Sequence, residues 1–176
     1  MVATAIQTDT PASFKRWLRH ALYMPWQTKR RINAQAHAHI EAAVTQAEAG
    51  HAGEIMVIIE GNLPLSDAYQ SGTVERALAL FGECRIWDTA YNSGLLLYIN
   101  VCEQRVELLA DRGIHQYVDQ THWIAICEAI THQIQAGEWA NGIVAGVQQM
   151  GETLQSFYQQ QAPYASNELA DKPMLL

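Results

Sequence analysis

Trp87-Asp88-Thr89-Ala90-Tyr91-Asn92-Ser93-Gly94-Leu95-Leu96-Leu97-Tyr98-Ile99-Asn100, followed by an apolar run that ends in Ala110-Asp111-Arg112-Gly113-Ile114, decides how this chain folds. It reads as a polar loop, a buried strand over 95–100, a turn over 101–104 and a second strand over 105–110. The link is short enough for a hairpin, so the two strands are expected antiparallel. Upstream, Glu54-Ile55-Met56-Val57-Ile58-Ile59-Glu60 is apolar at every interior position. That pattern suits a strand covered on both faces of an α/β sheet. A helix starting near Asp67 or Thr73 and ending at Gly82, with Val74, Ala77, Leu78 and Phe81 facing in, separates this strand from the hairpin. Such a helical link implies a right-handed parallel crossover.

Helices fill the remainder. Ser13 is placed to cap one that puts Phe14, Trp17, Leu18, Ala21 and Leu22 on a single face, and Pro25 is expected to stop it. That aromatic stripe suits the body of the protein, with a membrane interface as the alternative. A second helix over 33–49 turns Ala36, Ile40, Ala43, Val44 and Ala47 inward and ends at Gly50. Further helices are expected over 113–118, 120–136 and 138–161. The division is a basic helical extension (1–32), a domain (33–161) and a weakly ordered tail (162–176). The fold class is a three-layer α/β/α sandwich about a mostly parallel sheet of some four strands, one hairpin included.

The formal net charge of −7 over 176 residues disfavours binding to a nucleic-acid backbone, which calls for a basic field. The charge is uneven. Residues 1–37 hold Lys15, Arg16, Arg19, Lys29, Arg30 and Arg31 against Asp9 alone, a net +5, which leaves −12 on the rest. A basic arm on an acidic body is expected to fold back on its own domain or to touch an anionic membrane. Cys84, Cys102 and Cys127 form neither a disulfide framework nor a zinc ribbon. His37 and His39 diverge on a helix and are not a metal pair. With no signal-peptide pattern and no apolar run of about 18 residues, a soluble, cytoplasmic protein is expected.

The topology makes a site prediction. If strand 54–60 runs parallel to strand 95–100, both begin at one sheet edge, where strand 105–110 ends. Glu54, the loop 88–93 and Asp111 then meet at one rim. Glu54, Asp88, Asn92 and Asp111 supply oxygen donors, which suit calcium, and magnesium less well. Zinc is not expected from a set without Cys or His. The competing structural roles are plain. Asp88 and Asp111 would cap the backbone, Arg112 would pair with Glu54 or Asp119, and Glu54 would face water.

The chain resembles the TPM-domain family, named after thylakoid-lumen, photosystem II repair and nematode receptor-modulator proteins. The resemblance runs through His51-Ala52-Gly53-Glu54-Ile55, Asn92-Ser93-Gly94-Leu95-Leu96, Val106-Glu107-Leu108-Leu109-Ala110-Asp111-Arg112-Gly113-Ile114 and Gln135-Ala136-Gly137-Glu138-Trp139-Ala140-Asn141-Gly142-Ile143. Roughly residues 45–155 are covered. It implies a small α/β/α sandwich, calcium binding as in some members, and the weak acid phosphatase activity assigned to plant members. Two departures stand out. Asp111-Arg112 replaces the family's aromatic-glycine pair, and the transmembrane anchor and leader of many members are not seen.

The functional expectation is a calcium-binding module with an interaction or assembly role and a protein partner. The alternatives are a weak metal-dependent phosphatase and a peripheral membrane adaptor acting through the basic N-terminal helix. No sequence motif of a known phosphatase nucleophile or of a nucleotide site is present. A hydrolase would therefore work through metal-assisted attack of water, with Arg112 steadying a phosphate and His115 carrying a proton.

Overall fold

The computed structural model describes residues 3–4, 13–160 and 167–176. In chain order its elements are β1 (Ala3–Thr4), α1 (Phe14–Ala21), α2 (Pro25–Arg31), α3 (Ala34–Glu48), β2 (Glu54–Glu60), α4 (Leu65–Gln70), α5 (Thr73–Glu83), β3 (Gly94–Asn100), β4 (Arg105–Ala110), α6 (Arg112–His115), α7 (Gln120–Gln135), α8 (Trp139–Tyr158) and β5 (Met174–Leu175). The start at residues 1–12 lies outside the described residues apart from Ala3 and Thr4.

The strands follow the order β1-β4-β3-β2-β5. β2 runs parallel to β3 with Glu54 opposite Gly94, and β3 pairs antiparallel with β4 with Leu95 opposite Ala110. β1 lies antiparallel on β4, and β5 lies parallel to β2. The expected mostly parallel sheet is therefore evenly mixed: three full strands with a two-residue strand at each edge. Segments that short carry no periodicity for a sequence reading to detect.

Alternation along the strands sorts the core into two sides. Ile55, Val57, Ile59, Leu95, Leu97, Ile99, Val106 and Leu108 pack against α3, α7 and α8. Met56, Ile58, Leu96, Tyr98 and Leu109 pack against Ala77, Leu80 and Phe81 of α5. These layers form the expected α/β/α sandwich. α8 approaches α3 so closely that a β-carbon on Gly151 would meet Ala47, the reason a glycine stands there.

Three expectations are corrected. In α5, Leu80 is buried and Leu78 faces solvent, because the helix turns its Ala77–Leu80–Phe81 stripe to the sheet. Pro25 opens α2 rather than only ending the helix before it, since its fixed φ and missing N–H suit a first helical turn. The described part of the tail is anchored, not loose. Leu176 N–H donates to the Ile59 carbonyl (3.0 Å), Gly61 N–H donates to the Leu176 carbonyl (3.0 Å), and the His37 ring bonds the Pro173 carbonyl (2.8 Å).

The largest reversal is in α1. Its apolar stripe was expected to face the body, but Phe14 is 68% and Leu22 63% exposed, whereas Arg16 and His20 are buried. The cause is Glu103 in the β3–β4 turn, which accepts from Arg16 Nε and from His20 Nε2 (2.7 Å). His20 Nδ1 in turn accepts from Leu63 N–H (3.1 Å), which fixes the ring orientation. Although burial opposes it, the bonds from His20 and Arg16 and the Arg16 charge hold the Glu103 carboxyl at about 2. Leaving that carboxylate unpaired in the interior would cost more than exposing a few apolar side chains, so the ion pair sets the helix rotation.

Candidate functional site: the rim at the start of β2 and β3

Parallel pairing of β2 with β3 and reversal into β4 bring the expected residues to one rim. Glu54 pairs with Gly94, and Asp111 N–H donates to the Gly94 carbonyl (2.9 Å). Alternation turns Glu54 to the α5 side of the sheet, whereas Asp111, just past β4, neighbours Tyr158 of α8; the two stand one strand to either side of Gly94. Their backbones are thus separated by two strand spacings, roughly 9–10 Å. The backbone carbonyl of Ile86 sits over Gly94, where a β-carbon would otherwise stand. Glu54 and Asp111 share the rim without converging on one point.

Each half of the rim has its own partners. Asp111 caps α6 by accepting from Arg112 N–H (2.6 Å), as the structural reading anticipated. Its other oxygen, Oδ2, is buried without a hydrogen-bond partner among the described residues, as are His115 Nδ1 and Tyr158 Oη. Burial and the neighbouring Tyr117 and Asp111 push the Tyr158 phenol up to about 12. Asn92 holds a left-handed φ of 52°, its carbonyl accepts from Gly113 N–H (3.0 Å), and its side chain accepts from Arg112 Nε (3.0 Å). Arg112 therefore pairs with Asn92, not with Glu54 or Asp119. Asp88 lies exposed on the loop. The loop is pinned where Ser93 N–H donates to Thr89 Oγ1 (2.9 Å) and Ser93 Oγ donates to the Ala52 carbonyl (2.7 Å).

The Glu54 half is an acidic corner. Glu54 is buried, does not face water, and accepts from Leu169 N–H (3.1 Å). Glu48, at the end of α3, accepts from Ile55 N–H (2.6 Å) on the stretch of β2 that β5 leaves uncovered. Asp171 accepts from Thr45 Oγ1 and Asn167 Nδ2, and Glu168 accepts from Ala90 N–H (2.8 Å). Burial, then the charges of Glu54 and Asp171 and a side-chain bond to Asp171, raise the Glu48 carboxyl to about 8, against the pull of Ile55 N–H. Glu54 is also raised, by burial first and then by Glu168 and Asp171, against the amides of Leu169 and Glu168. Glu48 therefore holds its proton well above the usual carboxylate range. Among the described residues, no three His, Cys, Asp or Glu side chains are arranged about a common ion position.

Glu48, Glu168 and Asp171 escaped the sequence reading. A glutamate at a helix end looks solvated, and the tail gave no sign of folding onto β2. The acidic spacing Glu48…Glu54 and the pair Glu168…Asp171 were the available signals. At the opposite end of the sheet, Tyr98 Oη donates to Glu60 Oε2 (2.6 Å), which also accepts from Arg76, and Thr73 Oγ1 donates to Glu107 Oε1 (2.6 Å). The bonds from Arg76 and Thr73 tie α5 to the sheet beneath it.

Comparison with known proteins agrees with the architecture. The NMR structure of BA42 protein from the psychrophilic bacteria Bizionia argentinensis superposes with a TM-score of 0.71 at 23% identity, over 82% of this chain and 94% of that one. That likeness concerns the fold. No curated protein matches the chain. Among the described residues, no helix is long and apolar enough to cross a membrane. A family profile described as the TPM domain matches residues 28–153, which takes in β2 to β4 with Glu48, Glu54, Gly94 and Asp111 of the rim, and leaves Tyr158, Glu168 and Asp171 outside it. The chain belongs to the TPM domain family.

Proposed function

We propose that this protein is a cation-responsive interaction module in which a hard divalent cation, calcium before magnesium, is held at the acidic corner by Glu48, Glu54, Glu168 and Asp171. One observation carries the reading: Glu48, Glu54, Glu168 and Asp171 are gathered by α3, β2 and the tail at one corner, where burial and the charges of neighbouring carboxylates raise Glu48 and Glu54. All four side chains offer oxygen, the donor that calcium prefers in shells of about six to eight. Binding requires the corner to rearrange, so it draws segment 167–172 inward onto α3 and β2. That movement gives the cation a way to alter the surface a partner meets. Because the cation displaces the proton on Glu48, affinity rises with pH up to about 8.

Calorimetric titration with calcium chloride and with magnesium chloride at neutral pH, repeated in two buffers of different ionisation enthalpy, tests this reading. The expected result is binding with release of about one proton. It should weaken by about tenfold or more in Asp171→Asn and in Glu48→Gln. Absence of heat, together with an unchanged NMR spectrum in calcium, refutes cation binding. Binding that survives Asp171→Asn but is lost in Asp88→Ala/Asp111→Ala moves the ion to the other half of the rim, onto the ligands read from the sequence.

A further inference from the structure

We infer that the pair α1–α2 docks this protein onto an anionic lipid bilayer, through an apolar face that the buried Glu103 network turns outward. The inference does not depend on the acidic corner.

An amphipathic helix on a globular protein ordinarily buries its apolar stripe. In α1 the relation is inverted. At one hundred degrees per residue, Phe14, Trp17, Leu18, Ala21 and Leu22 occupy one arc, and Arg16 and His20 lie opposite it. The two polar side chains are locked inward by Glu103, so rotation that would bury the stripe is blocked. Phe14 stacks on Trp17 with ring centroids 5.7 Å apart, giving the exposed face a broad aromatic surface. Next in the chain, Met24 and Trp26 are also exposed, at 50% and 59%.

Charge complementarity selects the occupant. Between residues 13 and 40 the sequence has six Lys and Arg and no Asp or Glu. Lys15, Arg19, Lys29 and Arg30 are exposed beside the apolar residues. Apolar and aromatic side chains flanked by cations fit the interface of an anionic bilayer, where the hydrocarbon boundary and the headgroups are met together. The remainder of the chain, with five Lys and Arg against 17 Asp and Glu beyond residue 32, is repelled by the same surface, so only this end approaches. A second copy of the chain is a poorer occupant, because a face-to-face pair sets Lys15 and Arg19 of each against those of the other. Eight residues of α1 suffice to lie on a bilayer but not to cross one.

Flotation of the full chain with phosphatidylcholine vesicles, with and without about 30% phosphatidylserine, tests the proposal. The wild type should float with the anionic vesicles at low salt, remain below with the neutral ones, and be released at about 0.5 M salt. Emission from Trp17 and Trp26 should shift to the blue on binding. Phe14→Ser/Leu18→Ser/Leu22→Ser and Lys15→Glu/Lys29→Glu/Arg30→Glu should each lower the partition coefficient by about a hundredfold or more. All six positions are exposed, so unchanged melting curves are expected and separate lost docking from lost folding. Wild type that stays below with anionic vesicles, or flotation that neither variant alters, overturns the proposal. A dimer in light scattering that the serine variant dissociates also overturns it, by assigning the face to a second copy.

Discussion

Replacing Glu48 by glutamine separates the proton from the charge at the acidic corner. The amide keeps an oxygen for Ile55 N–H and offers an N–H to Asp171, so the bonding of the protonated carboxyl is preserved. In the wild type, between 4.5 and about 8, the folded chain retains a proton that the unfolded chain has released. Stability from this group is therefore fully present below pH 4.5 and declines as pH rises towards 8. A displacement of that size corresponds to roughly 5 kcal/mol, at about 1.4 kcal/mol for each tenfold change in proton affinity. Glu48 is only half-buried, and screening by water reduces the expectation to about 2 kcal/mol. Urea unfolding without divalent cations, near pH 5 and near pH 9, reads the effect. The two proteins should be equally stable at the lower pH, and Glu48→Gln should be the more stable by about 2 kcal/mol at the higher. A pH slope that is the same in both, or a Glu48 carboxyl carbon that titrates near 4.5 by NMR, would refute the reasoning.

Glu103→Gln leaves Arg16 buried without its counter-charge and should cost about 3 kcal/mol at neutral pH by denaturant unfolding. The wild type should lose the Glu103 contribution as pH falls from 4.5 to about 2, because a carboxyl held low in the fold takes up its proton first in the unfolded chain. Gly94→Ala drives a β-carbon into the Ile86 carbonyl and should lower stability by about 2 kcal/mol. Gly82→Ala, in α5 with open space around it, should instead raise stability by about 0.5 kcal/mol, and thermal melts distinguish the two signs.

The strands and their register were legible because burial on both faces writes an uninterrupted apolar run into the sequence. From that register alone, Glu54 and Asp111 could be placed on one rim. What the chain order could not convey is that the Ile86 carbonyl closes over Gly94, the residue that stands between them. Helix faces were legible where apolar burial decides them, as in α3 with Ile40, Ala43 and Val44. In α1 a single distant carboxylate overrode the periodicity, and a pairing across more than eighty residues leaves no local mark. Glu48, Glu168 and Asp171 were hidden for a related reason. Their meeting depends on a tail strand of two residues, too short to announce itself.

Two-residue strands, β1 and β5, form the outermost edges of the sheet. Each is so brief that it offers a neighbouring molecule almost no free backbone, yet it covers two residues of the longer strand beside it. β2 is apolar at every interior position, and without Met174–Leu175 it would present its naked flank to any extended polypeptide nearby. β1 and β5 are thus the selvedges of this fabric, short borders sewn along β4 and β2.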